Sequence, residues 1–296
     1  MRMDRLFSLP TEETSPAVDD AADSGCARHR VLLCAPRHFS VDYAINPWME
    51  SQIGAVDHAR ALAQWSALHA RLSACADVEL VEAQPALPDM VFTANAGLVR
   101  GAAAIVSRFR CAERRDEEAH FHAFFEGAGF RVAPWPQDVC FEGAGDALFD
   151  RGAPILWAAH GFRSDRAAAP LLERLFDRRT LALRLVDPRF YHLDTCFCPL
   201  SGGWTMYYPG AFDANSRALI EAHVAPSRRV EIDETDALGF ACNAVEIDGR
   251  IFMNAASAGL LSRLSAAGFR PEVTPLGEFL KSGGGAKCLT LKLTEA

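Results

Sequence analysis

An internal repeat is the feature that most constrains the fold of this chain. From residue 56 onward, an amphipathic helix and a short strand alternate with a pair of apolar, β-rich runs around a turn. The helices are predicted at 56–74, 113–129, 165–176, 213–223 and 257–267, where apolar residues recur at helical spacing. Five units of roughly 45 to 50 residues are typical of a solenoid or of a propeller-like ring.

The strands follow the same repeat. Paired runs are predicted at 91–98 with 103–107, 139–149 with 155–158, 190–200 with 204–208, and 241–247 with 251–254. Single strands are predicted after the helices, at 78–81, 131–133, 181–186, 229–232 and 272–274. Asp248-Gly249 between two apolar runs is a strong hairpin signal. Because the segment after Cys288 can return to the first strand, at 30–34, we predict a closed α/β ring.

Composition limits the partners that the protein can have. The chain has 296 residues, half of them hydrophobic, and a formal charge of −8 without a basic cluster. We therefore expect neither a nucleic-acid nor a membrane partner, and no apolar run reaches the ~18 residues of a membrane span. Nine cysteines without a repeated spacing favour reduced thiols in a cytoplasmic protein.

The first 29 residues differ from the rest of the chain. They are rich in Asp, Glu, Thr and Ser and lack the apolar segment of a secretory signal. We predict a disordered N-terminal tail over residues 1–29 and a single catalytic α/β domain over residues 30–296.

Five polar residues occupy comparable places in the five repeats. Asn95, Glu142, His192, Asn243 and Cys288 are separated by 47, 50, 51 and 45 residues. In a closed ring, equivalent positions meet at one mouth of the central axis. The repeat therefore predicts a site that contains a thiol, an imidazole, a carboxylate and two amides.

Cys288 follows three glycines and precedes a short alternating run. Glycines allow the backbone to approach a ligand closely, and a nucleophilic cysteine needs such a setting more than a structural one does. A core cysteine beside a glycine turn is the alternative for this segment. The strand predicted after Cys288 would hold the sulfur in place.

The partners of the thiol are predicted from their own neighbourhoods. His192 and Asp194 alternate along the predicted strand 190–200, so we expect both on one face. Glu142 and Asp146 lie among glycines within an apolar hairpin, where they either cap a turn or face a cation. Asn95 before Ala-Gly is weak evidence by itself.

Three other kinds of site fit the sequence less well. His192, Cys196 and Cys198 have poor spacing for tetrahedral zinc. A serine hydrolase of the Gly-x-Ser-x-Gly type lacks that motif here. The glycines at 143 and 145 lack the third glycine and the following helix of a dinucleotide fingerprint.

Four motifs, taken in order, resemble the guanidine-modifying superfamily. They are Phe-Thr-Ala-Asn at 92–95, Phe-Glu-Gly-Ala-Gly-Asp at 141–146, His-Leu-Asp-Thr at 192–195 and Gly-Gly-Gly-Ala-Lys-Cys at 283–288. The resemblance covers about residues 30–293. It implies the five-bladed, pseudo-symmetric α/β-propeller of ββαβ units, the pentein fold, that is shared by arginine deiminases, dimethylargininases and glycine amidinotransferases. The segments 45–49 and 88–97 look most like the arginine dihydrolases.

The resemblance also implies roles for individual residues. Cys288 matches the family nucleophile, His192 the general acid and base, and Glu142 the carboxylate that orients the histidine. The resemblance implies a further set of residues that bind the substrate. They are Asp194 for the guanidinium, Arg114 and Arg163 for the α-carboxylate, and Asn46, Asn95, Asp89 and Asp146 as further contacts. No metal or organic cofactor is implied.

One position separates the possible reactions. Arginine deiminases have Asp where this chain has Asn95, whereas similar dihydrolases have Asn. The expected function is therefore cysteine-dependent hydrolysis of the guanidino group of arginine or a related compound, to ornithine, carbon dioxide and ammonia. A dimethylargininase or arginine deiminase giving citrulline, and an amidinotransferase, stay open. The expected partner is a small cationic guanidino substrate, and a homo-oligomer is left open.

Overall fold

Five three-stranded sheets organise residues 28–294, which are the residues that the computed structural model describes. Residues 1–27 of the tail predicted for residues 1–29 lie outside the described residues. The first strand begins at His29. In each sheet the first strand runs antiparallel to the middle strand, and the third strand runs parallel to it. The repeat that the sequence predicts is therefore a ββαβ unit used five times.

The strands are short. They are β1 (His29–Cys34), β2 (Ala76–Val81), β3 (Gly97–Arg100), β4 (Ala103–Val106), β5 (Arg131–Val132), β6 (Ala147–Phe149), β7 (Ile155–His160), β8 (Arg179–Arg184), β9 (Phe197–Leu200), β10 (Trp204–Tyr207), β11 (Arg229–Glu231), β12 (Val245–Ile247), β13 (Arg250–Met253), β14 (Arg270–Val273) and β15 (Leu291–Lys292). Sheet order is β15-β1-β2, β3-β4-β5, β6-β7-β8, β9-β10-β11 and β12-β13-β14.

The last strand closes the ring. β15 pairs antiparallel with β1, with Val31 opposite Lys292, so the end of the chain supplies the missing strand of the first sheet. The predicted closure is confirmed, and the fold is the five-unit, pseudo-symmetric α/β-propeller. Closure also brings Cys288, which precedes β15, beside the turns of the other units.

Helices cover the outer side of the strands. They are α1 (His58–Ser73), α2 (Glu117–Gly127), α3 (Ala168–Phe176), α4 (Ala214–His223), α5 (Glu234–Leu238), α6 (Ala258–Ala266) and α7 (Gly277–Leu280). Asp57, Asp213 and Ser257 cap α1, α4 and α6 by accepting a backbone N–H in the first turn. The sequence patterns identify all but the two shortest helices, α5 and α7.

The long β runs predicted at 91–98, 139–149, 190–200 and 241–247 are wrong in their first halves. Those halves are turns, three of them 3₁₀ helices at Thr93–Ala96, Gly143–Gly145 and Leu193–Thr195. Gly143 has φ of +62°, which ends an extended run. The Thr195 hydroxyl donates to the carbonyl of His192 (2.7 Å), a local hydrogen bond that competes with strand pairing.

None of the helices in residues 28–294 combines the length and the hydropathy that a membrane span requires.

Candidate active site

The 3₁₀ turns place polar side chains at one mouth of the ring. Each turn precedes the first strand of its unit, so the residues just before the strands face the same axis. Thr93 ties two units together here, because its hydroxyl donates to the carbonyls of Leu32 (2.8 Å) and Leu289 (2.9 Å). The site is therefore built on turns that several strands hold rigidly.

Asn243 holds the candidate nucleophile. Its amide Nδ2 donates to Cys288 Sγ (3.0 Å), and its Oδ1 accepts from the backbone N–H of Cys288 (3.1 Å). The same Nδ2 donates to the carbonyl of Asp194 (3.1 Å). The sequence marked Asn243 as a repeat position without a chemical role, and the structure gives it one as the residue that fixes the sulfur.

Two of the glycines before Cys288 allow close approaches. A Cβ on Gly284 would lie 2.3 Å from the ring of Phe92, and one on Gly285 would lie 2.9 Å from Oδ1 of Asn243. Cys288 itself lies in a turn and not beside a longer strand, since β15 starts at Leu291. The strand predicted from Leu289 therefore begins two residues later than expected.

Asp194 lies next to the sulfur. Its two carboxylate oxygens are 3.6 and 3.7 Å from Cys288 Sγ. Burial, only partly offset by the charge of Lys287 and by hydrogen bonds, raises the pKa of Asp194 to about 7. Burial and the Asp194 charge also hold the pKa of the Cys288 thiol well above its ordinary value. Without a bound cation, the Cys288 thiol therefore keeps its proton at neutral pH, and Asp194 is only partly ionised.

Glu142 makes a separate charged group with His192 and Arg163. Its Oε2 lies 2.8 Å from His192 Nε2 and 3.2 Å from an Arg163 nitrogen. Burial alone would raise the pKa of Glu142, but Arg163 and His192 outweigh it and hold this pKa well below its usual range. An ionised Glu142 fixes the orientation of the imidazole.

Asp146 supports the same imidazole. Its Oδ2 accepts from the Ser164 hydroxyl (2.6 Å) and lies 4.0 Å from His192 Nε2, while its Oδ1 accepts from the backbone N–H of Leu193 (3.2 Å). Burial, partly offset by His192, raises the pKa of Asp146 to about 6. Asp146 thus anchors the turn that carries His192.

Asn95, Arg114 and Asp89 form a third group. Arg114 donates to Oδ1 of Asn95 (2.9 Å) and to the carbonyl of Asp89 (3.1 Å), and it pairs with Glu117 at 2.8 and 2.9 Å. Asn95 Nδ2 donates to the carbonyl of Glu142 (3.1 Å). Sequence reasoning missed Glu117, although its position three residues after Arg114 is a signal for such a pair.

Arg114 reaches this position because the predicted helix 113–129 is interrupted. Ala112–Arg114 is a 3₁₀ turn, and α2 starts at Glu117. Arg114 is 3% exposed and its donors are occupied within the protein. This geometry fits the positioning of Asn95 better than the grip on a substrate carboxylate that the resemblance implies.

The segment around Asn46 covers the glycine turn. Asn46 Nδ2 donates to the carbonyl of Ser282 (3.1 Å), and Tyr43 donates to Asp89 Oδ2 (2.8 Å). Arg163 donates to the carbonyl of Ile45 (2.7 Å). Asn46 and Arg163 therefore both hold the segment around residues 45–46, which we call the rim of the site. None of these hydrogen bonds connects Asn46 to the Cys288 thiol.

The expectation that His192 and Asp194 share a strand face is wrong, because both belong to a turn. His192 precedes the 3₁₀ helix and Asp194 lies within it. The turn directs His192 to Glu142 and Asp194 to Cys288. Two neighbouring residues thus serve two groups of the site.

A metal centre has no support in residues 28–294. The His, Cys, Asp and Glu side chains there form no group of three or more that could hold a metal ion. The thiols considered for zinc donate to backbone carbonyls instead, Cys196 to Leu193 and Cys198 to Ala244, both at 3.5 Å.

A family model for N,N-dimethylarginine dimethylhydrolases (eukaryotic) matches residues 36–295. The chain belongs to this family. A dimethylarginine dimethylaminohydrolase of Mycobacterium tuberculosis is 37% identical over 265 residues, 89% of this chain and 85% of that protein. A dimethylarginine hydrolase structure from Pseudomonas aeruginosa, 20% identical, covers 90% of this chain and 99% of its own with a TM-score of 0.77, and it shows the shared fold.

Higher identity is found to a longer protein. The bifunctional arginine dihydrolase/ornithine cyclodeaminase ArgZ of Synechocystis is 53% identical over 266 residues, 90% of this chain. The chain spans only 38% of the length of that relative. A crystal structure of the N-terminal domain of ArgZ bound to its substrate, described as an arginine dihydrolase, is covered to 98% with a TM-score of 0.89.

Proposed function

We propose that this chain hydrolyses the guanidino group of arginine to ornithine, carbon dioxide and two molecules of ammonia, with Cys288 as the nucleophile. The observation that carries the proposal is the Cys288 thiol, fixed by Asn243 at 3.0 Å and faced by the Asp194 carboxyl at 3.6 Å. A planar cation bound beside the thiol and the carboxyl would satisfy both. The 53% identity to the arginine dihydrolase domain of ArgZ supports the substrate.

Substrate recognition uses the uncompensated carboxyl of Asp194 and two residues further out, of which Arg163 is itself paired with Glu142. Asp194 receives the guanidinium. Burial keeps water from stabilising the charged carboxylate, and a bound cation stabilises it instead, so that the raised pKa of Asp194 falls. We assign the α-carboxylate and amino end to Arg163 and Asn46, because Arg163 donates to the carbonyl of Ile45, the residue before Asn46, and Asn46 donates to Ser282. Arg114 and Asp89 act through Asn95 and the covering segment, since their contacts lie within the protein.

The first half of the reaction forms a thioether-like bond to carbon. The guanidinium carbon is a weak electrophile, so the thiolate is required, and the substrate cation favours it. Cys288 attacks this carbon, and His192 protonates the departing ammonia. The product is an S-alkylthiouronium, which is arginine less one ammonia on the sulfur. A structure of the ArgZ N-terminal domain is described as covalently bound to a reaction intermediate, which supports this step.

Water completes the turnover. Glu142 holds His192 through Nε2, which leaves Nδ1 for proton transfer. The imidazole takes a proton from water, the hydroxyl adds to the thiouronium carbon, and the C–S bond breaks to give the ureido compound. A second attack on that carbon releases the second ammonia, and hydrolysis of the resulting thiocarbamate gives ornithine and carbon dioxide.

Asn95 favours the second round. An amide can donate as well as accept, and its Nδ2 and Oδ1 are fixed by Glu142 and Arg114. After the first round the guanidinium has become a neutral ureido group. An aspartate at this position would then be a buried charge without a cationic partner, whereas the neutral Asn95 has no charge to compensate.

Dimethylarginine is the second candidate substrate. The family model and the 37% identical protein of Mycobacterium tuberculosis favour it. That reaction would release dimethylamine and stop at citrulline. The same Cys288 chemistry serves both, so the products decide between them.

Mass-spectrometric product analysis tests the proposal. The protein is incubated separately with arginine, dimethylarginine and citrulline, with the Cys288→Ala variant as the blank. Ornithine with two ammonias per arginine is the expected result. Citrulline as the end product of arginine, or dimethylamine as the main product, would replace the proposal by the second candidate. Turnover that requires added glycine would show an amidinotransferase.

A further inference from the structure

Lys287 directly precedes the nucleophile in the chain, and its side chain is buried. The side chain is 8% exposed. Its ammonium Nζ donates to the carbonyls of Ala144 (3.2 Å) and Thr290 (3.5 Å). Carbonyl oxygens are neutral acceptors, so these hydrogen bonds hold the ammonium in place without cancelling its charge.

The Glu246 carboxylate, which lines the same cavity as Lys287, is bonded to other groups. Lys287 lines a small cavity of about 30 Å³ together with Lys292, Arg151, Glu246 and apolar side chains. Glu246 Oε2 pairs with Arg151 (3.0 Å) and accepts from Ser201 (2.7 Å), and its Oε1 accepts from the backbone N–H of Gly249 (2.6 Å). Among residues 28–294, no carboxylate pairs with the Lys287 ammonium, so its charge stays uncompensated in the buried region next to Cys288.

We propose that Lys287 is a positioning residue whose buried positive charge stabilises the Cys288 thiolate and the Asp194 carboxylate during turnover. The proposal rests on the proposed function and deepens it. Asp194 and Cys288 are both enclosed by protein, and the substrate cation alone would have to balance two anions. Lys287 supplies the second positive charge, so the complex of substrate, thiolate and carboxylate becomes neutral.

The electrostatics of the neighbours agree with this geometry. Among the influences that lower the pKa of Asp194, Lys287 is the largest, and it also lowers the pKa of Cys288. The opposing influences on Cys288 are burial and Asp194, and Cys288 in turn raises the pKa of Tyr191. Glu142 and His192 form a separate pair with Arg163, so they do not replace Lys287.

Lys287→Met, which keeps the length and removes the charge, tests the proposal. Two rates are measured: alkylation of Cys288 by iodoacetamide without substrate, followed on the Cys288 peptide by mass spectrometry, and kcat/KM for arginine across pH. If the thiol pKa rises by one unit, alkylation at a fixed pH below it slows about tenfold, and the acid limb of the kcat/KM profile moves up by about one unit. Lys287→Arg should restore both values.

Lys292→Met is the matched control, because it removes a second buried lysine of the same cavity that, unlike Lys287, is not among the charges that shift the pKa of Asp194 or Cys288. It should leave both rates unchanged. If Lys287→Met unfolds, Lys287→Gln replaces it, and thermal melting checks each variant. A fall in kcat of the same size at every pH, with normal alkylation, would overturn the proposal and leave Lys287 a structural role. Absence of arginine turnover in the unaltered protein, with the alkylation difference present, would instead overturn the proposed function.

Discussion

Glu142 and Asp194 are two carboxylates with the same burial and opposite chemistry. Both are 0% exposed. Glu142 contacts Arg163 and His192, and its pKa lies well below the usual range. Asp194 faces a thiol, with Lys287 as its main source of positive charge, and its pKa rises to about 7. The neighbouring cations, and not burial, decide which carboxylate stays ionised.

This difference divides the site into two parts. The Glu142 part is complete without a ligand, because its charges are balanced within the protein. The Asp194 part is incomplete, because its carboxyl and its thiol both gain from a cation. Under the proposed function, the balanced part orients the histidine and the incomplete part receives the guanidinium.

The largest effect is expected when the thiol is removed from the Asp194 part. Cys288→Ala should abolish arginine turnover, since no other group can attack the guanidinium carbon, while thermal melting stays close to that of the unaltered protein. Activity is measured as ornithine and ammonia release. Cys75→Ala is the control, because Cys75 donates only to backbone carbonyls of α1, and it should keep full turnover. Comparable turnover by Cys288→Ala would remove the nucleophile from the account.

Breaking the Glu142 part should cost stability as well as activity. Glu142→Gln leaves the buried Arg163 and His192 without their carboxylate. Loss of one partner of a buried pair is expected to lower the free energy of unfolding by about 3–5 kcal/mol. Urea denaturation at neutral pH measures this loss. A variant as stable as the unaltered protein would show that Glu142 does not hold these cations.

Replacing the Asp194 carboxylate by an amide should instead raise the free energy of unfolding. Because the folded pKa of Asp194 is about 7 and the model value is 3.8, the folded state binds the proton more tightly, and stability falls as pH rises between these values. Three pKa units set a ceiling of roughly 4 kcal/mol, so we expect Asp194→Asn to gain about 1–3 kcal/mol at pH 8. Urea denaturation at about pH 4 and pH 8 measures the difference.

The gain should be small at about pH 4, which lies close to the unfolded-state pKa and far below the folded one, so that most of the destabilisation has not yet developed. An equal difference at both pH values would contradict the raised pKa. The variant should also lose arginine turnover, which separates its stability from its function.

A smaller effect is expected from crowding Asn95. A Cβ on Gly145 would lie 2.3 Å from Asn95 Nδ2. The Asn95 amide cannot easily move away, because Nδ2 donates to the carbonyl of Glu142 and Oδ1 accepts from Arg114. Gly145→Ala should therefore lower kcat for the second, ureido step by about tenfold, equivalent to about 1.4 kcal/mol. Gly127→Ala is the control, since nothing lies within 4 Å of its Cβ position. Equal citrulline hydrolysis by both variants would deny Asn95 a role in that step.

The sequence predicts the ring better than it predicts the turns. Helical spacing and the Asp248-Gly249 hairpin locate most units, and the pairing of β15 with β1 confirms the closure. The apolar residues in the turns before β3, β6 and β9 wrongly predict strand. Local hydrogen bonds such as that from Thr195 to His192 decide otherwise, and they cannot be deduced from hydrophobic alternation.

The site shows the same limit. The repeat spacing brings Asn243 to Cys288 and Glu142 to His192, as the closed ring requires. It does not show that Arg114 is enclosed by Glu117 and Asn95, because that depends on the break between the 3₁₀ turn and α2. Side-chain partners in a turn follow from its exact path, which the residue pattern leaves open.

The most direct test of the account is to trap the bond between substrate and sulfur. The protein is mixed with arginine labelled with ¹³C at the guanidino carbon, quenched in acid before one turnover is complete, and digested for mass spectrometry. The account predicts a labelled adduct of arginine less one ammonia on the Cys288 peptide, absent from the Cys288→Ala variant. Turnover to ornithine with Cys288 unmodified at every quench time, or with the label on another residue, would contradict it.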